Sequence, residues 1–257
     1  MSTVVEISLL GRRALVTGAS RNLGAAIARV LGEEGASVAV TFLNSEESAL
    51  DLITDMEGIT GRGHGAVSMD ATDPDSVRSA VGEAASLLGG HIDILVNNAG
   101  PYGSTPFLEM EEAEWDRVWD ANVKATYVAC QTVAPAMQAA GWGRIVNVSA
   151  VSAYVRNRSI YSLAKNALLT LTETLALELA PAVTVNGVAP GQIAESIPEL
   201  TEFNPEWAEQ VVAATPLGRL VTRDEIARIV ALLCSRTFDG VTGVTLPVDG
   251  GLRINRF

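Results

Sequence analysis

The 257-residue sequence predicts an α/β fold, a doubly wound domain built on a seven-stranded parallel sheet. Three observations predict it. Apolar, β-branched runs alternate with helical periodicities along the whole chain. Runs such as IDILV (92–96) and RIVNV (144–148) are nearly continuous in apolar residues, as burial on both faces of a strand requires. The composition, 48% hydrophobic but only 5% aromatic with 23 glycines, suits small side chains that let helices pack closely on a sheet.

Strands are expected at 14–17, 37–42, 65–69, 92–96, 144–148, 183–188 and 243–248. Between them, helical spacing of apolar residues covers 23–34, 45–56, 74–88, a long 112–140 region, 160–179 and 223–233. No linker or repeat interrupts the alternation, so the expectation is one domain over 1–257. The irregular stretch 192–219 carries three prolines and several acids, and a loop of that length in a compact domain reads as a substrate lid.

Charge and composition narrow the function. With 30 acidic against 18 basic residues the net charge is −12, which argues against nucleic-acid or anionic-membrane partners. No apolar run approaches the roughly 18 residues of a membrane span, and the first residues lack a secretory pattern. A cytoplasmic protein is the expectation. Cys130 and Cys234 fall inside apolar helical patterns and read as buried thiols, while His64 and His91 stand apart without metal-ligand spacing.

The first strand runs into Thr17-Gly18-Ala19-Ser20-Arg21-Asn22-Leu23-Gly24 and then a helix. A glycine-bearing turn here lets backbone approach a pyrophosphate, whose charge faces the helix N-terminus. Its place after the first strand makes dinucleotide binding more probable than a tight βα connection alone. An acid about 20 residues further on would bind the ribose 2′-hydroxyl of NAD. The stretch 37–45 has none. Arg21, Thr41, Asn44 and Ser45 can instead donate to a 2′-phosphate, so NADP(H) is expected ahead of NAD(H).

Tyr161 and Lys165, four apart at the start of a helix, share a face. An ammonium about 4 Å from a phenol is worth roughly 4 kcal/mol at an effective dielectric near 20. That predicts a phenol pKa lowered by up to about three units, into the range useful for general acid–base work. The same spacing also occurs on helix faces with no chemistry.

The ordered set TGASRNLG (17–24), Asp70, NNAG (97–100), Asn122, YSLAK (161–165), APG (189–191) and VDGG (248–251) resembles the short-chain dehydrogenase/reductase family over essentially the whole chain. The likeness is to its compact branch, with the flavour of 3-oxoacyl-carrier-protein reductases. The resemblance implies a Rossmann-type fold and NADP(H)-dependent hydride transfer between a ketone and a secondary alcohol, in a homo-oligomer, tetramer or dimer. It implies Tyr161 as general acid/base, Lys165 on the nicotinamide ribose, and Asn122 holding a water that links the lysine to solvent. It also implies a cofactor site of Gly18, Ser20, Arg21, Asn22, Leu23, Gly24, Thr41, Asn44, Ser45, Asp70, Ala71, Asn98, Ala99 and Gly100. Pro190, Gly191 and Ile193 would lie by the nicotinamide.

Three departures accompany it. Asn22 replaces the middle glycine of the turn, where its tolerance of left-handed backbone preserves the shape. The loop before Tyr161 is two residues short, so Ala150 or Val148 falls where the substrate-binding serine belongs, leaving Ser149 or Ser152 as the hydroxyl. Strand alternation bears on Ser149. Glu195, with Ser196 beside it, falls where a threonine is expected. Arg156 and Arg158 are candidates for attracting an anionic substrate, and the partner is expected to be a small-molecule carbonyl or alcohol. Enoyl reduction on the same fold and a non-catalytic dinucleotide-binding regulator are the rival readings.

Overall fold

The computed structural model describes residues 7–155 and 159–254. Arg156 and Arg158 therefore lie outside the described residues. Seven parallel strands form one sheet: β1 (Arg13–Val16), β2 (Ser37–Phe42), β3 (Gly65–Ser68), β4 (Ile94–Asn97), β5 (Gly143–Val148), β6 (Val183–Pro190) and β7 (Thr245–Val248), in the order β3-β2-β1-β4-β5-β6-β7. This is the predicted doubly wound sheet, each strand starting or ending within two residues of its expected bounds.

Helices α1 (Asn22–Glu33), α2 (Glu46–Thr60) and α9 (Arg223–Cys234) cover one face; α3 (Pro74–Leu87), α5 (Ala125–Ala140) and α6 (Ile160–Leu179) cover the other. The two-residue period of the strands sorts their side chains between these layers. Ala14 and Val16 enter the first core with Ile27, Leu31 and Ile226, whereas Leu15 enters the second with Val128, Met137 and Leu175.

Two segments depart from the expected elements. The long helix is α4 (Glu112–Trp119) joined to α5 through a π-helical turn, Asp120–Lys124, which carries Asn122. One extra residue per turn breaks the regular register there, a feature that clusters at functional sites. The expected lid loop is partly helical, with α7 (Ile197–Phe203) and α8 (Pro205–Ala214). Pro205 starts a helix within it: it occupies the first turn of α8, where Asn204 Oδ1 accepts the Trp207 N–H at 3.1 Å. Ala208 and Val211 then bury one face of α8.

The strand order reverses between β1 and β4, so their connections diverge to opposite sides and leave a crevice at the carboxyl ends. Thr17 stitches that crevice. Its hydroxyl accepts the backbone N–H groups of Asn98 and Ala99, both at 3.0 Å. Asn98 Nδ2 returns bonds to the carbonyls of Thr17 at 3.0 Å and Gly18 at 2.9 Å. Thr17→Val keeps the shape but removes the acceptor of two N–H groups, and each orphaned group costs about 1–3 kcal/mol. Urea denaturation should show a loss of about 2 kcal/mol; a loss under about 0.5 kcal/mol would mean that the stitch contributes nothing.

Candidate cofactor and active site

The crevice is a cavity of about 650 Å³. It gathers four separate segments: Gly18 with 20–24, 41–45, 69–72 and 98–101. Among the expected cofactor residues, Gly18, Ser20, Arg21, Asn22, Leu23, Gly24, Thr41, Asn44, Ser45, Asp70, Ala71, Asn98, Ala99 and Gly100 all stand on its wall. Asn22 adopts φ +54°, alone among the described non-glycine residues in having positive φ. The turn thus keeps its left-handed shape with asparagine in place of glycine. Gly18 and Gly24 leave no room for a side chain: a Cβ would stand 2.8 Å from Ala99 Cα at the first and 2.7 Å from Ala19 Cα at the second. Arg21 and Ser45 precede α1 and α2 without capping them through their side chains, so these residues leave the first-turn N–H groups of both helices unclaimed.

Several of these residues act on the protein itself. The Thr41 hydroxyl accepts the Gly18 N–H at 2.9 Å and is almost fully buried, which fixes the turn. The Asp70 carboxylate accepts the Thr72 N–H at 2.8 Å and the Thr72 hydroxyl at 2.7 Å, and these bonds lower its pKa. Pro190, Gly191 and Ile193 stand apart from this wall, at and beyond the end of β6. There Gly191 donates to the Val248 carbonyl at 2.9 Å, and Ile193 bridges to Val221. Arg117 and Ala121, which sequence reasoning did not single out, complete the wall. Their signal is weak, because only the fold brings α4 over the crevice.

Tyr161 and Lys165 do share a face of α6, with Nζ 5.4 Å from the phenol ring centre. The expected lowering of the phenol pKa is not what the chain alone produces. Nζ donates instead to the Val148 carbonyl at 2.8 Å. Burial and the neighbouring Tyr102 push the Tyr161 pKa up to about 12, and burial brings the Lys165 pKa down to about 8. Desolvation outweighs the attraction because the ammonium is directed at a neutral carbonyl. Tyr102, 63% exposed, meets the Tyr161 ring edge-on with centres 5.1 Å apart, so it forms the outer wall beside the phenol.

Asn122 is fully buried, its Nδ2 donating to the carbonyls of Val118 at 2.8 Å and Pro101 at 3.1 Å. Its Oδ1 has no partner among the described residues, an orphaned buried acceptor of the kind an ordered water satisfies. Ser149 requires correction as a substrate-binding hydroxyl. Its side chain turns inward and donates to the Lys165 carbonyl at 2.7 Å, since alternation along the strand end directs it at α6 rather than the cleft. Ala150 follows it, and the buried Ser152 Oγ has no partner among the described residues. Glu195 is also placed: its carboxylate accepts the Arg223 N–H at 3.1 Å at the start of α9, so it anchors the lid's first turn.

Comparison with known proteins agrees with this arrangement. The family model described as enoyl-(acyl carrier protein) reductase matches residues 18–253. The chain is 36% identical to the 3-oxoacyl-(acyl-carrier-protein) reductase FabG of Aquifex aeolicus, an alignment covering 96% of this chain and 100% of the relative. A solved short-chain dehydrogenase/reductase from Serratia marcescens superimposes with a TM-score of 0.85 at 35% identity, covering 95% of this chain and 99% of that one. A gluconate 5-dehydrogenase from Burkholderia cenocepacia, solved in complex with NADP and tartrate, gives a TM-score of 0.88 at 32% identity, covering 96% and 97%. With the reversed strand order, the glycine turn and the tyrosine–lysine pair in place, the chain belongs to the short-chain dehydrogenase/reductase family of oxidoreductases.

Proposed function

We propose that this chain transfers hydride between NADP(H) and a small ketone or secondary alcohol, with Tyr161 as the general acid/base. The observation that carries the reading is the pair on α6: a half-buried phenol with a fully buried ammonium 5.4 Å from its ring. The nucleotide fits what is present, since the two glycines leave a cradle that any side chain would fill. Bound there, the nicotinamide supplies or accepts the hydride at the carbonyl carbon.

The residues supply the rest. A phenol with a pKa near 12 is protonated at neutral pH, which is the state needed to donate a proton to a developing alkoxide. As the phenolate forms, the Lys165 ammonium on the same helix face, with Nζ 5.4 Å from the ring centre, is the cation placed to stabilise it. Lys165 uses one donor on Val148, leaving two for a ribose hydroxyl and the phenol side. Asn122 Oδ1 supports a relay water, as expected from the resemblance.

NADP(H) is favoured over NAD(H) on charge. The end of β2 reads Phe42, Leu43, Asn44, Ser45 without a carboxylate, and Arg21 makes no ion pair among the described residues. The relative solved with NADP supports the same choice. We read the chain as one dinucleotide-binding domain with a lid at 192–219. Trp115, Tyr127, Leu163 and Leu177, exposed on α4 to α6, favour association of copies through that face. Among the described residues no helix is long and apolar enough to cross a membrane.

Tyr161→Phe should lower kcat for NADPH-dependent ketone reduction by about 10²–10⁴, with NADPH affinity by fluorescence titration unchanged. Unchanged turnover would remove the tyrosine from the reaction, and reduction of matched enones in preference to ketones would favour the enoyl reading. Arg21→Glu should weaken NADPH binding by about ten- to a hundredfold and spare NADH; equal losses for both would remove the 2′-phosphate assignment.

The lysine adds a pH dependence. Its pKa is about 8 folded against 10.5 as the ordinary value, so the unfolded chain holds more protons between those limits. Its contribution to stability therefore rises with pH across that window, by up to about 3 kcal/mol. The stability difference between wild type and Lys165→Met, followed by urea denaturation from pH 7.5 to 10, should move towards the wild type as pH rises. A difference that stays flat would mean that the ammonium is not desolvated.

A further inference from the structure

A second cavity of about 350 Å³ lies between the segment after β5 and the lid. Val151 and Ser152 border it on one side, Trp207 and Val211 of α8 on the other, and Gln192 follows directly on the Pro190-Gly191 turn. Its volume is at the small end for ligand sites, of roughly 300–1,000 Å³, so its occupant is compact. Its charge is unlike that of the chain as a whole. Although the sequence holds 30 acids against 18 basic residues, among the described residues no aspartate or glutamate lines this cavity, and one arginine, Arg253, does.

Arg253 is held as a recognition group would be. Asp249 accepts the backbone N–H groups of Gly251 and Arg253, both at 2.9 Å, which fixes the turn that carries it. Its guanidinium stands 5.3 Å from the centre of the Tyr154 ring, and the Tyr154 hydroxyl is tied to the Thr245 carbonyl at 3.2 Å. No carboxylate lies within ion-pair distance of that guanidinium among the described residues. The cation is thus anchored at its backbone, set over an aromatic ring and without an anionic partner among the described residues. Gln192 and Gln210 add amide donors and acceptors on the lid side.

A planar guanidinium with two parallel N–H donors matches a carboxylate. We infer that the substrate is a small carboxylic acid carrying the reacting ketone or secondary alcohol, with its carboxylate on Arg253 and further oxygens on Gln192 and Gln210. This deepens the proposed function and rests on it. In the reducing direction the hydride of NADPH adds to the ketone carbon. The C=O electron pair moves to oxygen and takes the Tyr161 proton, giving the hydroxy acid and NADP⁺. The carboxylate is unchanged throughout, so Arg253 governs which substrate is chosen and not the chemistry.

The test uses 2-oxohexanoate, 4-oxopentanoate and 5-oxohexanoate beside their methyl esters, with wild type, Arg253→Gln and Arg253→Lys. The expected result is a preference for at least one keto acid over its ester. Arg253→Gln should lower kcat/KM for that acid about ten- to a hundredfold through KM, leave the ester unchanged, and be partly rescued by Arg253→Lys. Equal use of acid and ester, or a parallel loss on both in Arg253→Gln, overturns the inference while the ketone-reductase reading stands. If neither acids nor esters oxidise NADPH, that reading fails, and thermal melting in the presence of NADP⁺ decides the site. A rise in Tm with a keto acid in wild type but not in Arg253→Gln supports the carboxylate site, and no rise in wild type overturns it.

Discussion

One ammonium group, removed from water at the base of the cleft, constrains most of what surrounds it. Lys165 Nζ donates to the Val148 carbonyl, and the Ser149 hydroxyl donates to the Lys165 carbonyl. These two bonds run in opposite senses between the end of β5 and the second turn of α6. They fix the distance between strand and helix, and they fix the rotation of α6 about its axis. Tyr161, one turn earlier on the same face, is then positioned without any direct bond of its own among the described residues. Ser159 secures the start of that helix by accepting the Ser162 N–H. Next to it, a buried chain of amides and a hydroxyl, Asn97 to Asn147 to Thr172, joins β4, β5 and α6. A fully satisfied polar network of this kind admits one arrangement of its parts.

The same pair of bonds explains why the phenol keeps its proton. An ammonium lowers a neighbouring pKa only to the extent that its field falls on the titrating oxygen. Here its short contact is with a carbonyl, while the phenol carries the full cost of its own desolvation and faces a second tyrosine. The chain alone therefore stores the tyrosine as an acid. On the proposed function, making it a base would require a change in what Lys165 touches, a role that a ribose hydroxyl bound in the crevice could fill. On that proposal, whether Tyr161 acts as acid or base would depend on what fills the cavity as well as on the side chains.

How much of this was readable in advance follows from the range of each signal. Strand alternation and the glycine turn are local, and both carried through: Ala14 and Leu15 divide between the two cores, and Asn22 takes the left-handed backbone that its residue type tolerates. The shared face of Tyr161 and Lys165 is also local. Its electrostatic sign was not, because that depends on Val148 and Tyr102, which only the fold brings close. The helices within 192–219 were not legible for another reason. Proline ends a helix from within but begins one at its first turn, and Asn204 before Pro205 was the cue that distinguishes the two. Arg253 was invisible because its neighbours, Tyr154 and the lid, are distant in sequence.

The two ends of the 192–219 segment, proposed above as a lid, are joined to each other. Ile193 bridges Val221, the Ala194 N–H meets the Val221 carbonyl at 2.8 Å, and Glu195 caps the start of α9 through Arg223. A loop closed at its neck cannot swing from its termini without breaking all three. Beyond the neck, α7, α8 and the turn that follows pack in a small cluster of their own, in which Val211 and Leu220 meet Leu252, with Ala194, Ile197, Val212 and Ala214 beside them. Few buried apolar contacts mean a low free energy of local opening. The small cavity beside α8 therefore lies in the part that opens at lower cost, whereas the crevice at the ends of β1, β2 and β4 rests on the larger core. On the proposed function, that separation would let the nucleotide stay in place while the substrate is exchanged.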